Sequence, residues 1–357
     1  MTSDPTAPIK DSKFKAQNPS IAWIHKNLFN TWYNTLLTIA CGWLIYQVAI
    51  GLIHWTTTQA QWAVATTNLR LFLVGRYPVE QGWRIWISAA IVVGLIGLWA
   101  GTFAVNRPTV RKRLTLLIEV LLPIVACLIF WLISGGLGLM PISTNLWGGL
   151  MLTLLIAFVS IVLAFPLGVL LALGRQSPLP ILRWVSTVYI ELIRGLPLIG
   201  ILFMAQVMLP LVLPGEFRLD RLVRAIAGLV LFNSAYLAEN VRGGLQSVPR
   251  GQTEAAKALG LNTLFILLLV VLPQALRTVI PAIVGQFISL FKDTSLLSLF
   301  AILELTGVAR SVLAQPQFLG RYAEVYLFIG FIYWLFCYIM SLISGRLERQ
   351  GGSRHGR

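Results

Sequence analysis

Long apolar stretches alternate with short polar ones along the chain, and the length of those stretches sets the expected architecture. A helix that crosses a hydrocarbon core of about 30 Å takes roughly 20 apolar residues. Eight stretches meet that requirement, at about 29–53, 84–104, 114–134, 147–173, 185–212, 222–244, 262–286 and 324–345. The expected fold class is therefore all-α: a polytopic membrane protein of about eight transmembrane helices. The fifth, sixth and seventh stretches are the least clean, because each carries a charge or a proline. Residues 1–26 are a polar tail holding Lys10, Lys13, Lys15 and Lys26. The apolar stretch behind the tail is too long for the core of a cleaved signal and reads as an uncleaved anchor.

Composition agrees with the pattern. Of 357 residues, 57% are apolar and only 11% charged, whereas soluble domains carry about a quarter charged residues. The net charge of +15 would suggest nucleic acid in a soluble chain. In a membrane chain it marks topology, because basic residues collect in cytoplasmic connections. The tail, the loop with Arg107, Arg111, Lys112 and Arg113, then Arg175 and Arg183, then Arg242, Arg250 and Lys257, and finally the 346–357 tail with Arg346, Arg349, Arg354 and Arg357 hold 17 of the 28 basic residues. These are alternate connections, so both termini are expected in the cytoplasm. The connections at 135–146 and 211–217 have no basic residue and fall outside. Membrane lipid is an expected partner and nucleic acid is not. Trp55, Trp62, Trp83, Trp86, Trp131 and Trp147 fall near predicted membrane edges, as an aromatic belt would.

Cys41, Cys127 and Cys337 each lie inside an apolar run, and His25, His54 and His355 are scattered, so no disulfide framework, metal site or cofactor is expected. None of the seven lysines follows a glycine, which excludes a Walker phosphate loop. The chain is not expected to be an enzyme. Any use of ATP would need a separate subunit.

Ionisable residues divide the chain. The first three spans, joined by a polar stretch at 54–83, have few polar residues inside them. The last five are interrupted by Glu191, Arg194, Glu239, Arg277, Lys292 and Asp293. Charges at membrane depth are costly and tend to face cavities. The expected organisation is an accessory N-terminal bundle of about three helices at 27–144 and a working bundle at 145–345.

Between the sixth and seventh spans lies "SVPRGQTEAAKALGLNTLFILLLVVLPQA". Pro249 and Gly251 break the preceding helix, Thr253 can cap a new one, and Gly260 can end it in the left-handed conformation. Glu254 would then occupy the first turn, and Ala255 and Ala256 a small, closely approachable face. The segment reads as a short cytoplasmic docking helix at 252–260, or simply as a capped loop helix.

"EAAKALG" followed by the Leu272–Pro273 pair resembles the cytoplasmic signature of the membrane subunits of binding-protein-dependent ABC importers. "YIELIRGLPLIGILF", "AYLAENVRGGLQSVPRGQTEAAKALG" and "FKDTSLLSLFAILELT" are similar to the permeases for polar or general L-amino acids, of the histidine and glutamine type. The resemblance covers about 145–345 and implies a five-helix ABC importer permease core in a bacterial inner membrane. It also implies partners: an ATP-binding ABC subunit, in two copies, a second homologous permease subunit, and a periplasmic amino-acid-binding protein. The long N-terminal half favours a heterodimer over a homodimer. In this family the helix with Glu254, Ala255, Ala256 and Gly260 fits a cleft on the ATPase and transmits its closure to the spans.

A free amino acid offers an ammonium and a carboxylate, so a path for it wants carboxylate acceptors and guanidinium, ammonium or hydroxyl donors. Glu191 and Arg194 are three apart and can pair on one helical face, as a substrate or gate contact or as a structural ion pair. Gly195 and Pro197 favour a discontinuous helix beside them. Glu239 and Asn240 belong to the path or to helix packing, Arg242 snorkels to headgroups, and Gly243–Gly244 marks a helix exit. Lys292, Asp293, Thr294 and Ser295 are the strongest site candidates, against a Lys292–Asp293 pair at a helix break. Glu304 and Arg310 are read as outer charges at an entrance or a partner contact. The competing function is an ion-coupled secondary amino-acid transporter, which would show inverted repeats and coupling-ion carboxylates. A membrane enzyme lacks the histidines for a metal or triad.

Overall fold

The computed structural model describes residues 23, 26–104, 108–214 and 219–352. The tail residues Lys10, Lys13 and Lys15, together with His25, Arg107, Arg354, His355 and Arg357, lie outside the described residues, as does the side chain of Arg349. The described residues are overwhelmingly helical, and their β-type pairings are isolated bridges. The chain divides into two compact units, Met1–Gln61 and Trp62–Arg357.

The first unit contains α1 (Trp32–His54), which continues through one widened turn at Trp55–Gln59. The second contains α2 (Trp83–Ala104), α3 (Pro108–Ser134), α4 (Gly149–Arg175), α5 (Pro180–Gly195), α6 (Leu198–Phe203), α7 (Arg221–Ser247), α8 (Arg250–Ala258), α9 (Leu272–Asp293), α10 (Leu305–Leu313) and α11 (Tyr322–Gly352). Seven helical stretches among the described residues are long and apolar enough to span a membrane, and the pair α5–α6 with its continuation to Val212 makes eight. All eight match the apolar stretches of the sequence.

The fifth is not a straight rod. Its two halves are bent by 103°. Leu196 precedes a proline and is held extended at φ −100° and ψ 143°, so α5 stops there. Pro197, also extended, then starts α6. Beyond α6 the helix widens at Met204–Met208 just before Pro210, and a second widened turn at Ile266–Val271 comes just before Pro273. An extra residue in the turn relieves the clash between a proline ring and the carbonyl one turn back.

The core is built on α4 and α7, whose facing residues are small. Ala164 and Ala172 of α4 and Ala238 of α7 are fully buried. A Cβ on Gly168 would meet Leu237 and the carbonyl of Ser234. The pair Gly243–Gly244 does not mark a helix exit, because α7 runs on to Ser247. Gly244 instead lets α9 approach, since a Cβ there would run into the carbonyl of Ala275 and Val279, whereas Gly243 faces open space.

The stretch at 54–83 is more than a polar connection. Two short helices, Ala63–Thr67 and Leu69–Val74, bury Val64 and Phe72 completely against Val308 and Val312 of α10. The ring of Phe72 lies 5.1 Å from that of Phe328 on α11. Gly149, at φ 63°, lets the start of α4 approach the Leu69–Val74 helix, because a Cβ there would collide with the carbonyl of Phe72. Trp147 is likewise not a belt residue. It is 3% exposed and packs in a core cluster with Tyr77, Leu152 and Ile302.

Candidate functional site

At the Arg175 end of α4 an ionic cluster joins three helices. α5 crosses closely over this end, where a Cβ on Gly174 would strike Ser186. The crossing brings Glu191 and Arg194, in the last turns of α5, level with Arg175. The expected Glu191–Arg194 pair does not form. Glu191 instead accepts from Arg175 Nη2 at 2.7 Å, and Arg175 Nη1 donates to Glu239 Oε1 at 2.6 Å. Arg242 grips Glu239 Oε2 through Nε at 3.0 Å and Nη2 at 2.9 Å. It therefore does not simply snorkel. Arg194 Nη1 is 3.7 Å from the same Oε2, and its guanidinium lies over the Tyr236 ring at 5.6 Å. Asn240, on the next residue of α7, donates to the carbonyl of Ala282 on α9 at 3.5 Å.

α8 follows directly. Its start differs from the expectation: Pro249, extended, precedes Arg250, so Thr253 lies inside the helix and Glu254 in its second turn. Proline at the cap sets the entry, since its missing N–H is one a helix start leaves free. The end is as read: Gly260 takes φ 79°, its N–H donates to Lys257 at 2.9 Å, and Leu261 N donates to Ala256 at 3.2 Å. Asn262 then caps the next turn through the N–H of Phe265 at 2.9 Å. Ala256 is buried against the chain, whereas Glu254 and Ala255 are exposed and Leu259 is 82% exposed. Gln252 accepts from Gln274 at 3.3 Å, which ties α8 to α9.

The 292–295 residues close α9 and turn into a tight helix, Thr294–Phe300. They do not all face one way. Lys292 is exposed, Asp293 and Ser295 are half-buried, and Thr294 is fully buried with its hydroxyl donating to the carbonyl of Phe291 at 2.7 Å. Among the described residues, Lys292 and Asp293 form no ion pair within 4.0 Å.

Glu304 is the largest departure from the sequence reading. It is fully buried rather than guarding an entrance. It caps α10: Oε1 accepts from the N–H of Gly307 at 2.8 Å, and Oε2 from the N–H of Thr306 at 2.9 Å and from the Tyr333 hydroxyl at 3.0 Å. Burial pushes its carboxyl up to about 7, against the opposing pull of those hydrogen bonds. Arg310 stays exposed, with Nη1 3.4 Å from the carbonyl of Ser298.

Sequence reasoning missed three polar contacts inside the bundle. Asn233 on α7 accepts from Gln286 on α9 at 2.8 Å, Tyr189 on α5 meets Ser234 at 3.0 Å, and Arg175 is the hub of the ionic cluster. Gln286 sits alone in an apolar run and Asn233 has only Ser234 as a polar neighbour in one, and that isolation was the available signal. Arg175 was legible only as a topological charge.

Membrane-length helices, with one broken span, an ionic cluster at the Arg175 end of α4 and a short exposed helix after α7, are the architecture of a polytopic membrane protein. Residues 164–350 match the model of the family described as the binding-protein-dependent transport system inner membrane component. The chain is 41% identical, over 98% of its length and 97% of the relative's, to the inner membrane amino-acid ABC transporter permease protein YhdY of Escherichia coli (strain K12). It is 34% identical, over 94% of both chains, to the glutamate/glutamine/aspartate/asparagine transport system permease protein BztC of Rhodobacter capsulatus. A solved structure of an amino acid ABC transporter with histidines is 30% identical, with a TM-score of 0.51, over 57% of this chain and 92% of its own. The chain belongs to the family of binding-protein-dependent transport inner membrane components. Its C-terminal helices are the permease core of that family.

Proposed function

We propose that this chain is a membrane subunit of an ATP-driven, binding-protein-dependent importer of L-amino acids, either polar or of broad range. The observation that carries the reading is full-length similarity to an amino-acid ABC permease, which extends through the N-terminal third as well as the core. Residues 145–345 form the working core and 27–144 an accessory bundle. Both termini face the cytoplasm, by the distribution of basic residues.

α8 couples the chain to a separate ATP-binding subunit, present in two copies. In support, α8 offers Glu254, Ala255 and the protruding Leu259 to a partner, while Ala256 and Gln252 anchor it to the bundle. A second, homologous but different permease subunit completes the passage, since five core helices do not enclose one. A periplasmic amino-acid-binding protein delivers the substrate. The path passes Lys292, Asp293 and Ser295, with Thr294 holding their turn, and then Glu191, Arg194, Glu239 and Asn240. An uptake assay with labelled amino acids, in cells with and without this chain, tests the reading. Loss of uptake for one class of amino acids supports it, and unchanged uptake across all twenty rejects it.

A further inference from the structure

Within the ionic cluster, we propose that Arg194 receives the carboxylate of the travelling amino acid, while Glu239 stays on Arg175 and Arg242. The assignment rests on the amino-acid reading above. Three arginines, Arg175, Arg194 and Arg242, gather around two glutamates, Glu191 and Glu239, so one positive charge is left over.

The three arginines are not equivalent. Arg175 uses both terminal nitrogens, one on Glu239 at 2.6 Å and one on Glu191 at 2.7 Å. Arg242 holds Glu239 from one turn along the same helix, at 2.9 and 3.0 Å. Arg194 reaches Glu239 only at 3.7 Å, beyond hydrogen-bond distance. Its side chain is also the most exposed of the three, 37% against 23% and 31%. The surplus charge is therefore carried by Arg194.

The surroundings of Arg194 suit a small anion. Tyr236, one turn before Glu239, lies under the guanidinium at 5.6 Å, a cation–π contact that helps to hold it in place. The planar fork of a guanidinium matches a carboxylate with two parallel hydrogen bonds. Arg194 is the last side chain before the break in the fifth span. The residue is exposed, as is the neighbouring Gly195. An arriving carboxylate has no hydrogen bond between Arg194 and Glu239 to break, and Glu239 keeps Arg175 and Arg242. Its binding therefore leaves none of these charges without a partner.

The test is equilibrium binding of each of the twenty L-amino acids to the purified complete complex, and of the decarboxylated amine of the tightest binder. Arg194→Gln is expected to weaken the amino acid about tenfold or more and to leave the amine unchanged, with Arg194→Lys recovering part of the loss. The split between amino acid and amine is the readout that a merely structural role of Arg194 does not produce. Equal binding by Arg194→Gln and wild type, or equal loss of amine and amino acid, would each overturn the assignment. If the wild-type complex binds none of the twenty, the importer reading falls first and this assignment with it.

Discussion

Arg175 Nη1 lies 2.6 Å from Glu239 Oε1, an ion pair that crosses 64 residues of sequence and ties the end of α4 to α7. The Glu239 side chain is 15% exposed and that of Arg175 23%, so the pair is largely withdrawn from water. Removing one partner of such a pair leaves the other charge desolvated and unmatched. Because Arg175 also holds Glu191, its loss removes one of the ties of α5 as well.

Arg175→Gln is accordingly expected to destabilise the assembled complex by about 1–3 kcal/mol, read as a lower thermal midpoint in detergent. Arg183→Gln, on an exposed side chain of α5, should leave the midpoint where it is.

Glu304 gives a pH dependence with a definite sign. Its carboxyl is pushed up to about 7 from an ordinary value of 4.5. A raised acid favours the folded state most when both states are protonated, so its stabilising share is complete below about 4.5 and disappears as pH rises through about 7. The thermal midpoint of Glu304→Gln, measured against wild type across this range, should show a flatter fall with rising pH. Identical pH profiles would contradict the assignment.

The helices were legible in the sequence because membrane-length apolar runs have few alternatives. The break in the fifth span was legible too, because Gly195 and Pro197 fix the backbone locally. What the sequence hid were the partners. The spacing of Glu191 and Arg194 suggested a pair within one helix, but α5 crosses the end of α4 and Arg175 wins the contact. Gly244 looked like an exit because a bare sequence does not show the helix packed against it. Phe72 lay in a stretch with too many polar residues to be read as core, and only α10 and α11 make it one. Glu304 was placed among outer charges because its role as a cap depends on a helix of nine residues that no membrane-length pattern announces.

The glycine pair separates packing from helix termination. Gly244→Val, which must displace α9 at Ala275, is expected to cost about 1–3 kcal/mol and to lower the yield of assembled complex. Gly243→Val faces open space and should assemble normally. Equal behaviour of the two variants, read by size-exclusion yield, would contradict the close α7–α9 approach.

α8 offers a test of coupling apart from folding. Glu254→Arg reverses a charge on an exposed side chain, and Gly260→Val forces a β-branched residue into a left-handed conformation. Both chains should reach the membrane, and both should lose uptake together with the ATPase stimulation caused by the binding protein. Full stimulation in Glu254→Arg would show that the exposed face of α8 is not the contact.

The most direct test of the account is amino-acid uptake into vesicles holding the complete purified complex, driven either by ATP or by an imposed proton or sodium gradient. The account predicts accumulation of labelled amino acid only with ATP and the binding protein, and none with either gradient. Accumulation driven by a gradient without ATP would contradict it and would mark the chain as an ion-coupled carrier.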